Sequence, residues 1–397
     1  MSSFEFQLLL AAASSSSDQP LAVWKSLETE PRLDWNRLLG GARRHGMWPL
    51  LVRCLSCFPS TQIPAAVRTE LQLQQQQIAV QNLHLTGELW TLLQLFLACG
   101  IEAVPVKGPT LSMLAFSDVA GRQFCDLDLL IAEQDLARCA TLLLERGYRT
   151  WAPVESMRDS TFLRITNVLE FSHPEKGHHV ELHWRLSVVL LPIDLSEAWR
   201  ERRLVETSPG GKRISTFAPE PLLVYLSVHA AKHCWLRLNW AADIAWLIQR
   251  HPHLDWTYLM RLARRERCWR AVKLALVLAR DWLDVALPDE VIRELNGDRT
   301  TFALAKRVSY WWTLPAQKVP DEGKKRWERT RFFFEIQDSW KERYRYLARL
   351  LFTPNLNDWR FVRLPVRWIG LYLALRPLRF LLNLLRSPKE DLDRHQC

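Results

Sequence analysis

Gly121-Arg122-Gln123-Phe124-Cys125-Asp126-Leu127-Asp128-Leu129-Leu130-Ile131 carries more structural information than any other stretch of this 397-residue chain. From Cys125 to Ala132 it alternates, with Leu127, Leu129 and Ile131 on one side and Asp126, Asp128 and Leu130 on the other. Period-two alternation predicts a strand with one buried face. Side chains two apart on a strand project from the same face, roughly 6–7 Å apart along the chain. The strand therefore presents two carboxylates from one rigid edge. A lone Asp-x-Asp strand is as compatible with a solvated face, so its neighbours carry the decision.

Upstream, Ile101 to Lys107 is short, apolar and β-branched, and Gly108-Pro109 is a strong turn signal before a helix over Thr110–Phe116. Downstream, a helix over Gln134–Arg146 stops at Gly147, a typical C-terminal cap. Two further strands, Val168–His173 and His178–Leu186, flank a turn at Pro174–Gly177. The second contains Val180-Glu181-Leu182-His183-Trp184, which sets Glu181 and His183 on one face and Trp184 on the other. These elements predict a mixed α/β module over about 99–218.

Helical periodicity dominates elsewhere. Residues 1–98 read as an N-terminal helical region, with a glutamine cluster at Gln72–Gln77 covering an exposed face. Residues 219–312 read as a second helical region, with helices at 220–250, 255–265, 268–284, 289–296 and 299–312. Residues 313–397 form a basic, aromatic-rich helical end. The expected fold class is α+β: a small mixed-sheet module embedded between N-terminal and C-terminal helical regions.

Asp126, Asp128 and Glu181 offer three hard oxygen donors. Such a set suits Mg²⁺, which keeps some waters and takes its other ligands from substrate phosphates. A two-metal arrangement would activate an attacking hydroxyl and stabilise a departing pyrophosphate, with Mn²⁺ able to substitute.

The order of glycine turn, short helix, Asp-x-Asp strand and third acid on a later strand resembles the nucleotidyltransferase fold of polymerase β-like enzymes. More closely, V-K-G-P-T-L, G-R-Q-F-C-D-L-D-L-L-I, V-E-L-H-W-R-L and V-H-A-A-K-H-C-W-L-R-L-N-W-A-A-D-I-A resemble a bacterial family of largely uncharacterised nucleotidyltransferases, over about residues 20–300. The resemblance implies that Asp126, Asp128 and Glu181 are the catalytic metal ligands, that Mg²⁺ is the cofactor and that an NTP is the substrate. Many members of the wider superfamily carry Gly-Ser after the first strand, where this chain has Lys107-Gly108. Gly108 keeps the backbone freedom that lets main-chain amides approach a phosphate. The serine hydroxyl is missing, and Lys107 either compensates as a point charge or faces solvent. Arg122, four residues before Asp126, is either a triphosphate clamp or a structural partner of the carboxylates.

Within 220–250, His229, Lys232, His233, Leu236, Trp240 and Asp243 fall on one helical face by three-four spacing. Ala230 stands where an H-E-x-x-H zinc helix requires glutamate, which argues against a metalloprotease. The face reads either as a closure over a nucleotide, with Lys232 near the triphosphate and Trp240 stacking, or as an internal helix-to-module interface. His183 reads as support for the neighbouring carboxylates.

The net charge of +10 is concentrated late: residues 299–397 hold 21 lysines and arginines against 10 acids. Trp368, Leu371, Tyr372 and Leu373 alternate with Arg363, Arg367, Arg376 and Arg379 within Phe361–Arg386. That segment suits an anionic membrane surface or a protein partner, or packing back with the arginines turned outward. Eight cysteines in a chain this long make no disulfide framework, and Cys54-x-x-Cys57 has no second pair. No apolar run reaches the roughly 18 residues a membrane span needs. A cytoplasmic location, peripheral to the inner membrane at most, is expected.

Three functions follow. The leading one is nucleotidyl transfer from an NTP to a hydroxyl or phosphate of a small molecule or protein, with pyrophosphate release. A non-catalytic nucleotide- or partner-binding module retaining the fold is second. Modification of RNA ends ranks last, because no recognised RNA-binding motif accompanies the charge.

Overall fold

Leucine alternation along the central strand divides the molecule into two apolar cores, one on each face of a small sheet. The computed structural model describes residues 4–14, 33–186, 191, 193–201, 203–315, 318, 326–354, 356–362, 366–373 and 376. Helices α1 (Phe4–Ala13), α2 (Trp35–His45) and α3 (Trp48–Leu55) precede one long helix, α4 (Ala65–Ala98). The α/β part runs β1 (Ala103–Pro105), α5 (Gly108–Phe116), β2 (Asp126–Ile131), α6 (Leu136–Glu145), α7 (Ser160–Ile165), β3 (Val168–Ser172) and β4 (His179–His183). Helix α8 (Ser196–Arg200) leads to a hairpin of β5 (Leu204–Thr207) and β6 (Ile214–Phe217). Helices α9 (Pro219–Lys232), α10 (Asn239–Arg250), α11 (Trp256–Arg265), α12 (Trp269–Leu283), α13 (Asp289–Asn296) and α14 (Arg299–Thr313) follow, then α15 (Arg326–Glu335), α16 (Trp340–Phe352) and α17 (Leu356–Phe361).

The sheet order is β1-β2-β4-β3. Strand β2 is antiparallel to β1 and parallel to β4, and β4 is antiparallel to β3. The parallel pairing sets Asp128 opposite Glu181 and Leu129 opposite Leu182. Leu127, Leu129, Ile131, Val180 and Leu182 bury one face under Leu85, Leu89, Leu92 and Phe96 of α4 and under α6. Helix α6 ends as expected: Gly147 adopts φ +87° while Tyr148 N–H donates to Leu143 O at 3.0 Å, the pattern of a glycine-closed C-terminus. On the opposite face, Leu130 joins a larger core with Val104, Val106 and residues of α5, α9 and α10. That face also carries the acids.

The mixed fold with helical flanks is the one the sequence predicts, with one correction to its helices. The single helix expected over 220–250 is two, α9 and α10. Cys234 and Trp235 take left-handed backbone conformations at φ +52° and +55°. Trp235 N–H returns to Ala230 O at 2.8 Å and Cys234 N–H to Ala231 O at 2.9 Å, which closes α9. Tertiary contacts hold the break: Trp312 Nε1–H donates to Trp235 O at 2.6 Å and Leu238 N–H to His45 Nδ1 at 3.3 Å.

No helix of the described residues is long and apolar enough to cross a membrane. Seven described cysteines, Cys54 and Cys57 included, are free thiols. Most of Phe361–Arg386 lies outside the described residues. Within it, Tyr372 is buried, Trp368 and Leu371 are exposed, and Arg376 pairs with Asp358 at 2.7 Å.

Candidate active site

Strand alternation places the carboxylates, and the parallel register brings them together. Asp128 is opposite Glu181, while Asp126 stands one same-face position earlier, opposite His179. His183, two residues beyond Glu181, turns its imidazole back across both acids. Its Nε2 is 3.2 Å from Asp128 Oδ1 and 3.1 Å from Glu181 Oε2. Trp184 points the other way and is buried in the opposite core, where its Nε1–H donates to Leu163 O.

Lys107 does not face solvent, one of its two expected alternatives. It caps the start of α5, is buried, and sets Nζ 2.9 Å from Asp128 Oδ1. Gly108 follows at φ +60°, where a Cβ would lie 3.4 Å from the Asp126 carbonyl oxygen. Thr110 Oγ1 fastens this corner to Lys107 O at 3.0 Å. The chain thus needs glycine for its backbone conformation at this approach to β2.

The acids differ in charge state because their neighbours differ. Burial alone would raise the Asp128 carboxyl, but Lys107 and the hydrogen bond from His183 outweigh it and hold the group well below the ordinary range. Burial, then the adjacent Asp128 charge, pushes Asp126 up to about 6 against the pull of Lys107. Glu181 is lowered because its bond to His183 overcomes burial. The same two bonds raise His183, again against burial. Asp128 Oδ2 is buried with no hydrogen-bond partner.

Donor atoms of Asp128, Glu181 and His183 lie within 4.8 Å of one another, the geometry of a group able to hold a metal ion. Asp126 is outside that cluster but inside its electrostatic field. An orphaned carboxylate oxygen and two converging acids fit a hard divalent cation.

Arg122 is drawn to the site's edge and bound to the helical region. Its Nε–H donates to both carboxylate oxygens of Asp243 in α10, at 2.8 and 3.0 Å. The break between α9 and α10 means that Asp243 and Trp240 do not continue the face of His229 and His233. The turn nevertheless brings Trp240 back against both histidines, with ring centres 6.0 and 5.3 Å apart. Burial, and then Lys107, lowers His229 well below its ordinary value; burial, and then Lys232, brings His233 down to about 3. Both imidazoles are neutral at pH 7. Lys232 lies exposed at the end of α9, and its charge acts on these two rings.

Sequence reading missed two residues. Tyr225, one turn before His229 on α9, is buried within the field of Lys107 and all three acids; burial first, then those acids, raises its hydroxyl. The four-residue spacing to His229 was the available signal. Asn82 of α4 donates from Nδ2 to Val119 O at 2.7 Å and Arg122 O at 2.8 Å. An amide at a core position between Ile78 and Leu85 marks it.

With this geometry in view, comparison with known proteins is informative. A sequence model of the uncharacterised nucleotidyltransferase family matches residues 31–284. The chain belongs to this family. The match contains the whole carboxylate site, the Lys107-Gly108 corner and the Arg122–Asp243 pair. Among solved structures, an antigenic nucleotidyltransferase-like protein from Paracoccidioides brasiliensis is similar at 17% identity, covering 46% of this chain and 89% of that one, with a TM-score of 0.27. No curated protein sequence matches.

Proposed function

We propose that the protein transfers a nucleoside monophosphate from an NTP to a hydroxyl or phosphate acceptor, a small molecule or a protein, and releases pyrophosphate. Asp126, Asp128 and Glu181 are the metal ligands in this reading, with Mg²⁺ as the ion and Mn²⁺ able to replace it. The observation that carries it is the orphaned Asp128 Oδ2, buried beside an in-register Glu181. A buried carboxylate oxygen without a partner is costly unless a cation satisfies it.

The bound cation would neutralise the polyphosphate and lower the pKa of an acceptor hydroxyl. The chain's own groups do the rest. Gly108 brings the first backbone amides of α5 toward the phosphates, where the helix N-terminus favours negative charge. Lys107 holds Asp128 ionised, and Arg122 and Lys232 supply positive charge toward the triphosphate. His183 keeps Asp128 and Glu181 oriented and ionised. Neutral His229, neutral His233 and Trp240 offer an uncharged aromatic cluster suited to a nucleobase.

A second reading, a nucleotide-binding module without turnover, draws support from Lys107, whose ammonium already occupies Asp128 Oδ1. One experiment separates the two. Purified protein is incubated with Mg²⁺ and labelled ATP, CTP, GTP or UTP against a cell extract, and label transfer and pyrophosphate are measured together. Transfer with stoichiometric pyrophosphate supports the enzyme. NTP binding by calorimetry with neither product, with Mg²⁺ or Mn²⁺, leaves the binding module.

A further inference from the structure

The turn that delivers Arg122 is fastened at successive points. Ser112 Oγ–H donates to Asp118 O at 2.6 Å, and the Asp118 carboxylate accepts from Ala120 N–H at 2.8 Å. Gln75 of α4 donates to Ala120 O at 3.2 Å, and Asn82 holds the carbonyls of Val119 and Arg122. Backbone held this closely presents the Arg122 side chain from a fixed point.

Its guanidinium then meets Asp243, a carboxylate only 1% exposed on α10. Both hydrogen bonds come from Nε. Among the described hydrogen bonds, none engages Nη1 or Nη2. An arginine serving only as a structural partner for a carboxylate commonly gives it two parallel N–H groups. Here one N–H serves both oxygens, and the terminal fork is left over. Arg122 lies four residues before Asp126, at the entry to β2, and the charges of Asp126 and Asp128 act on its guanidinium.

We infer that Asp243 is a positioning residue: through Nε it locks Arg122 so that the Nη fork receives the polyphosphate of the nucleotide. This rests on the nucleotidyl-transfer reading above. The physical gain is pre-organisation. A free arginine side chain loses rotamer entropy on being fixed, and Asp243 fixes it before any nucleotide arrives. Asp243 itself touches no substrate in this scheme.

The test is calorimetry with Mg²⁺ and four α,β-methylene nucleoside triphosphates, which cannot be cleaved at the bond that nucleotidyl transfer breaks, each beside its parent nucleoside. The proteins are wild type, Asp243→Asn, Asp243→Glu, Arg122→Gln and the double variant Arg122→Gln/Asp243→Asn, each checked for folding by circular dichroism. Asp243→Asn should weaken triphosphate binding about tenfold to a hundredfold, the worth of one charge-assisted hydrogen-bonded contact, and leave nucleoside binding unchanged. Asp243→Glu should recover part of the loss. The double variant, which leaves no uncompensated buried charge, should bind no more weakly than Arg122→Gln alone. Full triphosphate affinity in folded Asp243→Asn or in the double variant overturns the inference, as does equal loss of triphosphate and nucleoside. If wild type binds no triphosphate with Mg²⁺ or Mn²⁺, the nucleotidyl-transfer reading falls first and takes this one with it.

Discussion

Lys107 Nζ and Asp128 Oδ1 are 2.9 Å apart, both buried, at the point where the first strand of the sheet hands over to a helix. One carboxylate of the candidate metal site therefore has a resident cation of its own. Burial opposes the charge on Lys107, and Asp128 more than restores it.

Removing that cation should be costly in the metal-free protein. Lys107→Met leaves Asp128 with His183 alone, and breaking a buried pair at one end typically costs about 3–5 kcal/mol. Urea denaturation should show a loss of this size, partly recovered in millimolar Mg²⁺. Unchanged stability would mean that the pair contributes nothing net.

Asp126→Asn and Asp128→Asn should both fold and both lose metal-dependent turnover. A metal ion contributes several kcal/mol of charge stabilisation, so the rate should fall about a thousandfold. Pyrophosphate release is the measurement. Retention of full activity by both variants would refute the ligand assignment.

Asp126 has a sign to its pH dependence. Its folded value of about 6 lies above the ordinary 3.8, so between those values the folded state holds the proton that the unfolded state gives up. Its contribution to stability is complete below pH 3.8 and is lost as pH rises through about 6. Metal-free wild type should lose stability relative to Asp126→Asn across this window, on the order of 1–3 kcal/mol. Metal binding needs the ionised form, so Mg²⁺ affinity should climb with pH up to about 6 and then level off. A flat difference between the two proteins over pH 4–7 would contradict this.

Gly108→Ala should harm both fold and site. The left-handed conformation costs a non-glycine residue about 1–2 kcal/mol, while the new methyl would only touch the Asp126 carbonyl at 3.4 Å. Thermal melting and triphosphate titration should both register it. A variant with wild-type melting would show that the corner can relax.

Asn82→Leu should act at a distance. It strips the hydrogen-bond donor from two carbonyls, each costing about 1–3 kcal/mol if left unsatisfied, and it loosens the segment that carries Arg122. Nucleotide affinity should drop without any change in Mg²⁺ affinity measured alone. Parallel loss of both would indicate general unfolding.

Much of this was readable beforehand. Leu127, Leu129 and Ile131 announced the central strand because their alternation with the two acids marks period two. Glu181 could be set near Asp128 for the same reason, although the parallel β2–β4 register that makes them neighbours is a long-range pairing that local pattern does not reveal. The break in 220–250 left no comparable trace. Leu, Ala and Trp keep helical spacing straight through it, no glycine or proline marks it, and Cys234 and Trp235 are held left-handed by Trp312 and by the α9 carbonyls, partners that local pattern does not reveal. Of the two alternatives open for Lys107, the solvent-facing one fails, because burial of a lysine depends on a partner that the local sequence does not show. Tyr225 and Asn82 were passed over for a related reason: beyond a four-residue step to His229 and a lone amide at a core position, their spacing reads as ordinary helix interior.

The long helix α4 has a consequence for the integrity of the whole molecule. Its 34 residues span about 51 Å at 1.5 Å per residue. Leu71 and Ile78 lie in the larger core, while Leu85, Leu89, Leu92 and Phe96 roof the sheet on the side away from the acids. Neither core is complete without this rod. A chain begun at residue 99 would strip part of the cover from one face of the sheet, and one ended at 98 would expose the helix's second half. The two cores should accordingly melt in a single transition, and the acids should lose their alignment at the temperature where the distant N-terminal helices come apart.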